Sequence, residues 1–200
     1  MIDPRFVLLA LPLSVIGGGN YLRETWRGNT QPHRVTWGLW GVEGILAFVV
    51  EIQQHVGLVS LLTLLLGFVP CLVLVASFRN PHAVWKIDWI DTVCGVVSLA
   101  GLVFWLFVNQ PTVALVAFAT ADTIAALPTI RKSWRSPESE TSSAFLLGSL
   151  QCLIALLALR QWTTAGALFP FMVMVADASI TVLIVTKVGP RLHARRRLLP

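Results

Sequence analysis

Long runs of apolar residues, separated by short polar or charged stretches, dominate the chain. Each run is close to the ~20 residues that a helix needs to cross a membrane, although the first and the sixth are short. Because lipid offers the backbone no hydrogen-bond partner, helices are the spanning structure that this pattern favours. Seven segments are predicted: Phe6 to Leu22, Val35 to Ile52, Val56 to Phe78, Trp89 to Val108, Thr112 to Ile130, Ala144 to Leu159 and Thr164 to Thr186.

The composition supports a membrane location for these segments. Hydrophobic residues make up 56% of the 200-residue chain and charged residues 12%, whereas charged residues make up about a quarter of a typical soluble domain. We therefore expect an all-α integral membrane protein in which residues 1–200 form a single membrane domain. Tryptophans near segment ends, Trp37 among them, are expected to anchor the protein at the membrane interface.

Lys and Arg fall almost entirely on one side of the predicted bundle. Every basic residue except Arg5 and Arg160 lies in the first, third or fifth loop or in the C-terminal segment from Lys187. Because cytoplasmic loops carry the excess of basic residues, the pattern predicts an outside N-terminus and a cytoplasmic C-terminus in a bacterial inner membrane. The basic tail, 188–200, is expected to meet anionic lipid head groups. The net charge of +5 requires no nucleic-acid partner.

Two basic stretches repeat one another across 108 positions. Tyr21 to Gly28 aligns without gaps on Thr129 to Ser136, with Arg, Trp and Arg at the third, sixth and seventh positions. Each stretch is predicted as a basic turn that closes one apolar segment, and the flanking apolar segments also correspond. Two repeats of three helices are therefore expected. Because three is odd, the second repeat keeps the orientation of the first only if an extra helix separates them.

The fourth segment fits this linker role, because its middle holds no ionisable residue. Parallel repeats of this kind place substrate sites near the membrane midplane, between the halves. The predicted organisation is repeat one at about 6–78, a linker helix at about 89–108, repeat two at about 112–187 and the basic tail at 188–200.

Polar residues near the midpoints of the segments are the candidates for a binding site. The offset of 108 pairs Ser14 with Asp122 and Glu43 with Gln151, and Trp40 shares a helical face with Glu43. An Asp at a helix centre costs roughly 2.5–3.5 kcal/mol, so such acids usually face a cavity. For Ser14 and Gln151, a structural role in hydrogen bonds between packed helices fits the sequence as well as solute contact does. We predict solute contact by Ser14, Trp40, Glu43, Asp122, Gln151 and Asp177.

The predicted acids have no basic residue at their own depth. An unpaired buried carboxylate favours its neutral form, whereas a water-filled cavity or a bound cation lets it stay ionised. Asp122 and Asp177 are therefore candidates for proton coupling, and uniport is the alternative. Pro70 and Pro128 remove helix hydrogen bonds and are hinge candidates, although static kinks fit equally well.

The residues Leu127 to Trp134, Leu-Pro-Thr-Ile-Arg-Lys-Ser-Trp, and the Ser/Thr-rich turn after them resemble the PQ-loop motif of the SWEET and PQ-loop transporter superfamily. The predicted three plus one plus three helices are similar to the layout of that superfamily. Thr129 stands where the motif has Gln, and Asn20-Tyr21 replaces its Pro-Gln pair in the first half. Trp37 to Trp40, Trp-Gly-Leu-Trp, is similar to the Trp-x-x-Trp of the vitamin-transporting Pnu proteins. The resemblance implies a distant relative rather than a particular sugar carrier.

Other functions fit the sequence less well. A retinal protein should carry a lysine midway along its last helix, but Lys187 lies ten residues past Asp177, ~15 Å along the axis. No His-Glu-x-x-His or Gly-x-Ser-x-Gly pattern occurs, and the three cysteines share no metal-ligand spacing, so no enzyme activity, metal or cofactor is predicted. The preferred function is a transporter or facilitator of a small polar solute, sugar-like, amino-acid-like or vitamin-like, by alternating access. A non-transporting adaptor or receptor is the alternative, and the sequence leaves a homo-oligomer open.

Overall fold

The computed structural model describes residues 3–84, 89–103, 106–107 and 110–197, and within these ranges it is helical with no strand. Among the described residues, four helical regions are long and apolar enough to cross a membrane, as an integral membrane protein requires: Arg34–Gln53, Gly57–Ser77, Pro111–Arg135 and Thr164–Thr186. The α-helices in the described ranges are α1 Val7–Arg27, α2 Arg34–Gln53, α3 Ser60–Ser77, α4 Trp89–Val103, α5 Pro111–Arg135, α6 Ser142–Ala158, α7 Thr164–Thr186 and α8 Val188–Arg197.

Each predicted apolar segment overlaps one of the helices α1 to α7, but α1 and α5 run further than expected, to Arg27 and Arg135. The two basic stretches are therefore helical and are not turns. Arg and Lys are good helix formers, and their charges are favourable at a helix C-terminus. Helix α1 then stops at Gly28, whose φ of 77° suits glycine. Residues 104, 105 and 108 of the predicted linker and 198–200 of the tail lie outside the described residues.

Helices α1–α3 and α5–α7 pack in the same order. Helix α3 packs against both α1 and α2, and α7 packs against both α5 and α6. Between the two groups, α1 packs on α6 and α2 packs on α5, while α4 packs mainly on α5. The outer faces carry exposed apolar side chains such as Leu9, Val75 and Val185. An apolar outer surface of this extent is what a bundle presents to lipid.

One end of the bundle is a connected layer of loops, which we name the basic end. The side-chain amide of Asn80 donates a 2.8 Å hydrogen bond to the carbonyl oxygen of Thr30. The backbone N–H of Gln31 donates to the carbonyl oxygen of Ser139 at 3.0 Å. These bonds join the loops between α1 and α2, after α3, and between α5 and α6, at 28–33, 78–84 and 136–141.

The seam between α2 and α3 is close enough to bring backbone against backbone. A Cβ added at Gly44 would lie 2.6 Å from the Cα of Gly67, a distance that real Cβ atoms do not reach. A Cβ at Gly67 would meet the backbone N of Ile45 at 2.5 Å. Small residues permit this approach, which is a common means of packing helices in membranes.

Candidate functional site

A cavity of about 80 Å³ lies between the two groups of helices. Its described walls come from α1, α2 and α3 on one side and from α6 and α7 on the other. Since one water needs roughly 10–15 Å³ by this measure, the cavity has room for several waters or one small molecule. No described residue of α4 or α5 lines it.

The structure brings four of the six predicted site residues together around this cavity. Their shared feature is a polar atom near the middle of a helix, and they are Ser14, Trp40, Gln151 and Asp177. The other two are buried outside the lining. Glu43 is 0% exposed on α2, about one turn beyond Trp40, and Asp122 is 6% exposed on α5. The predicted set therefore divides into residues that can touch a solute and residues behind the wall.

Aromatic rings form one wall of the cavity. The ring centroids of Trp37 and Trp40 are 5.2 Å apart with their planes at 81°, and those of Trp40 and Phe145 are 6.4 Å apart. The indole N–H of Trp40 donates a 3.1 Å hydrogen bond to the carbonyl oxygen of Asp122, which fixes the ring against α5. Trp37 is only 5% exposed. The expectation that it anchors the protein at the membrane interface is therefore wrong.

Another part of the lining, which we name the polar wall, carries hydrogen-bond acceptors. The Asp177 carboxylate lies against the backbone of Gly148, where an added Cβ would meet its Oδ2. Among the described residues, none donates a hydrogen bond to this carboxylate. The Gln151 Nε2–H donates to the carbonyl oxygen of Leu62 at 3.1 Å, and the described residues leave its buried Oε1 without a partner. The polar wall therefore offers a carboxylate to a solute, and the same wall contains a buried amide oxygen without a partner among the described residues.

Further acidic groups surround this wall. Asp122 lies within electrostatic range of Asp177, and the thiol of Cys152 lies within range of both and of Glu51. Across the part of the chain that the structure describes, no three His, Cys, Asp or Glu side chains are grouped so that they could hold a metal ion. The centre of the bundle is thus acidic, without the ligand cluster that a metal requires.

A cluster of polar contacts, which we name the polar cluster, lies at the basic end, where Tyr21 packs against the lining residues Trp37 and Phe145. Sequence reasoning missed it. Tyr21, which is fully buried, donates from its hydroxyl to the Glu140 carboxylate at 2.6 Å. Glu140 also forms an ion pair with Lys132. Next to this pair, the amide of Asn20 donates to the Ser143 hydroxyl at 2.7 Å. These contacts join α1 to the segment between α5 and α6, a pairing that helical spacing cannot reveal because the partners are remote in sequence.

Glu51 is a second residue that the sequence analysis passed over. It is 0% exposed near the end of α2 away from the basic end, and Thr63 on α3 is also 0% exposed. Within the described residues, the Glu51 carboxylate and the Thr63 hydroxyl make no hydrogen bond of normal length and angle, although the two side chains lie close enough to interact. The available signal was the eight-residue spacing from Glu43, which places both acids on one side of α2.

The two predicted hinge prolines lie inside helices. Pro70 is a buried residue of α3 and lines the cavity, while Pro128 is half-buried in α5, toward the basic end. Each removes a backbone donor from its helix, so each marks a place where the helix bends more easily.

Comparisons with protein-family models, with curated proteins and with solved structures find no match to this chain.

Proposed function

We propose that this protein is a membrane transporter or facilitator of a small polar solute and a distant member of the SWEET and PQ-loop superfamily. Helices α1 to α7 cross the membrane, with the N-terminus outside and the basic end in the cytoplasm. Two parallel repeats, α1–α3 and α5–α7, are joined by α4 as a linker helix. The solute binds in the central cavity and reaches either side by alternating access.

The helix boundaries support the two repeats. Helices α1 and α5 end at Arg27 and Arg135, and helices α2 and α6 begin at Arg34 and Ser142. Both pairs are separated by the same 108 positions that align the basic stretches. The packing is also unchanged when the repeats are exchanged, because α1 on α6 becomes α5 on α2.

The lining of the cavity carries the proposal. Under the same offset, four pairs of lining residues occupy equivalent positions in the two halves. A cavity built from equivalent positions lies on the axis that relates the repeats, where rocking of one repeat against the other exposes it to each side in turn. The pairs are Trp37 with Phe145, Trp40 with Gly148, Leu65 with Val173, and Val69 with Asp177.

The polar cluster at the basic end fits a cytoplasmic gate in its closed state. Tyr21 belongs to the first repeat, whereas Glu140 and Lys132 belong to the second. Separation of the repeats at this end breaks these contacts and opens the cavity toward the cytoplasm. We propose that Asp122 and Asp177 couple this movement to protons, because Asp177 lines the cavity and Asp122 lies directly behind the lining residue Trp40.

The experiment is uptake into proteoliposomes of a panel of sugars, amino acids and vitamins, with and without a pH gradient. We expect uptake of one solute class by the wild type, and loss of the gradient response in Asp122→Asn and Asp177→Asn. Glu138→Gln, which neutralises an exposed acid at the basic end, is the matched control. Gradient-insensitive uptake by wild type and variants would leave a uniporter. Solute binding without uptake would favour the non-transporting receptor.

A further inference from the structure

The charge of the cavity lining restricts what it can bind. Asp177 is the single ionisable side chain among the 14 described lining residues, and no Lys, Arg or His is among them. Asp122 lies behind the Trp40 side of the cavity, because its backbone carbonyl oxygen accepts a hydrogen bond from the Trp40 indole N–H. The lining offers an anionic solute no positive charge and one acidic group that repels it when ionised, so the lining disfavours that class.

The hydrogen-bonding character of the polar wall points in the same direction. The Asp177 side chain is half-buried in the lining, and the buried Oε1 of Gln151 has no hydrogen-bond partner among the described residues. Buried acceptors of this kind are costly until a donor or a positive charge reaches them. A ligand that supplies positive charge satisfies the carboxylate directly.

The aromatic wall favours the same charge. The indole rings of Trp37 and Trp40 both line the cavity, with their planes at 81° to each other. Ring faces attract cations, and Trp attracts them most strongly. Positions 40 and 148 are equivalent under the 108-residue offset. Trp40 in one half therefore corresponds to Gly148 in the other half, and Gly148 lies against the Asp177 carboxylate.

The rest of the lining decides between an inorganic and an organic cation. Leu65, Val69 and Val173 contribute apolar surface, whereas a dehydrated metal ion needs several oxygen ligands around it. An organic cation carries its own apolar surface and requires only one counter-charge. We propose that the cavity binds a small organic cation, held between the Asp177 carboxylate and the indole rings of Trp37 and Trp40. This inference rests on the proposed solute-binding role of the cavity.

The test is calorimetric titration of detergent-purified protein with two matched pairs of probes. The pairs are choline with its neutral isostere 3,3-dimethylbutan-1-ol, and tetramethylammonium with neutral tert-butanol. We expect each cation to bind at least about tenfold more tightly than its neutral partner, a difference of about 1.4 kcal/mol. Sodium chloride at matched ionic strength should not displace the organic cations.

Variants assign the effect to the proposed residues. Asp177→Asn and Trp40→Leu should each weaken the binding of the cations about tenfold or more while changing the binding of the neutral probes little. Ser179→Ala, an exposed position on the same helix as Asp177, is the control and should bind like the wild type. Circular dichroism and gel filtration of each variant show whether it is folded, so loss of binding in a misfolded variant is not scored.

The outcomes separate this inference from the proposed function. Equal binding of cations and neutral isosteres, or no binding of any cation by the wild type, overturns the organic-cation site. Displacement by sodium overturns it in favour of an inorganic ion. Cation binding that is selective but unaccompanied by flux in proteoliposomes leaves the site in place and removes transport. Uptake of a neutral solute by a protein that binds no cation supports transport and overturns the organic-cation site.

Discussion

The hydroxyl of Tyr21 donates a 2.6 Å hydrogen bond to the carboxylate of Glu140, a residue 119 positions further along the chain. Both residues are buried, and Lys132 completes the cluster through its ion pair with Glu140. The contact joins the first group of three helices to the second at the basic end. It is therefore placed to control whether the cavity can be reached from that end.

We predict that Tyr21 and Glu140 are energetically coupled. Tyr21→Phe removes a hydrogen bond to a charged group, which contributes about 1.5–3 kcal/mol, and the cavity should become more accessible from the basic end. A double-mutant cycle with Glu140→Gln, followed by unfolding in detergent, measures the coupling. Additive effects of the two substitutions would show that the hydrogen bond contributes nothing.

The approach of Asp177 to Gly148 gives a second prediction. Gly148→Ala places a methyl group where the Asp177 carboxylate lies, so the carboxylate must move. We expect solute binding to weaken roughly tenfold, or about 1.4 kcal/mol. Gly19→Ala is the control, because nothing lies within 4 Å of a Cβ there. Equal binding by both variants would show that the position of the carboxylate is unimportant.

Trp40→Phe tests the aromatic wall without removing an aromatic ring. The substitution deletes the indole N–H that donates to the carbonyl oxygen of Asp122. We expect a loss of about 0.5–1.5 kcal/mol in the free energy of unfolding, together with weaker solute binding. Trp162→Phe, at a position that is 63% exposed, should change the free energy of unfolding by less than about 0.5 kcal/mol. A Trp40 variant as stable as this control would argue against the hydrogen bond.

The membrane orientation can be tested by labelling with an impermeant thiol reagent in intact cells. In a variant with the native cysteines replaced by alanine, Glu138→Cys should be protected and Gln161→Cys should react. Both positions are exposed, whereas Ser139 is 8% exposed and would resist labelling on either side. The reverse pattern would invert the proposed topology. Labelling of both positions would show that they lie on the same side.

Glu51 gives a prediction about stability. A fully buried carboxylate with no hydrogen-bond partner among the described residues destabilises the folded protein. Glu51→Met should therefore raise the free energy of unfolding by about 1–3 kcal/mol. Glu138→Met, at an exposed acid, controls for the general effect of removing a charge. A less stable Glu51 variant would indicate that a bound water or cation satisfies the carboxylate.

Helix positions could be predicted from the sequence because apolar runs and helices are governed by the same requirement for internal backbone hydrogen bonds. The ends were less predictable. The stretch Arg131 to Arg135 is mostly charged or polar, with Trp134 as its single apolar residue, yet it continues α5 because Arg and Lys are good helix formers. The position of Ser14, Gln151 and Asp177 near the middle of their helices likewise indicated that they belong to the site, since polar residues at a helix centre need a polar environment.

The contacts between helices could not be predicted in this way. Hydropathy and spacing place a residue on a helical face but do not identify which other helix meets that face. Tyr21 with Glu140 and Gln151 with the carbonyl oxygen of Leu62 depend on the tertiary arrangement. For the same reason, Trp37 looked like an interface residue until the packing of α2 placed it in the core.

The close seam at Gly44 and Gly67 has a mechanical consequence for the first group of helices. Backbones in direct contact cannot slide or rotate past one another without steric clashes, so α2 and α3 should move together as one rigid unit. The equivalent positions in α6 and α7 hold Cys152 and Val175. Neither is a glycine, so the backbone-to-backbone contact between α2 and α3 has no glycine counterpart at these two positions. We expect the second group of helices, α5–α7, to be the more flexible of the two. Hydrogen–deuterium exchange should therefore be faster along α6 and α7 than along α2 and α3.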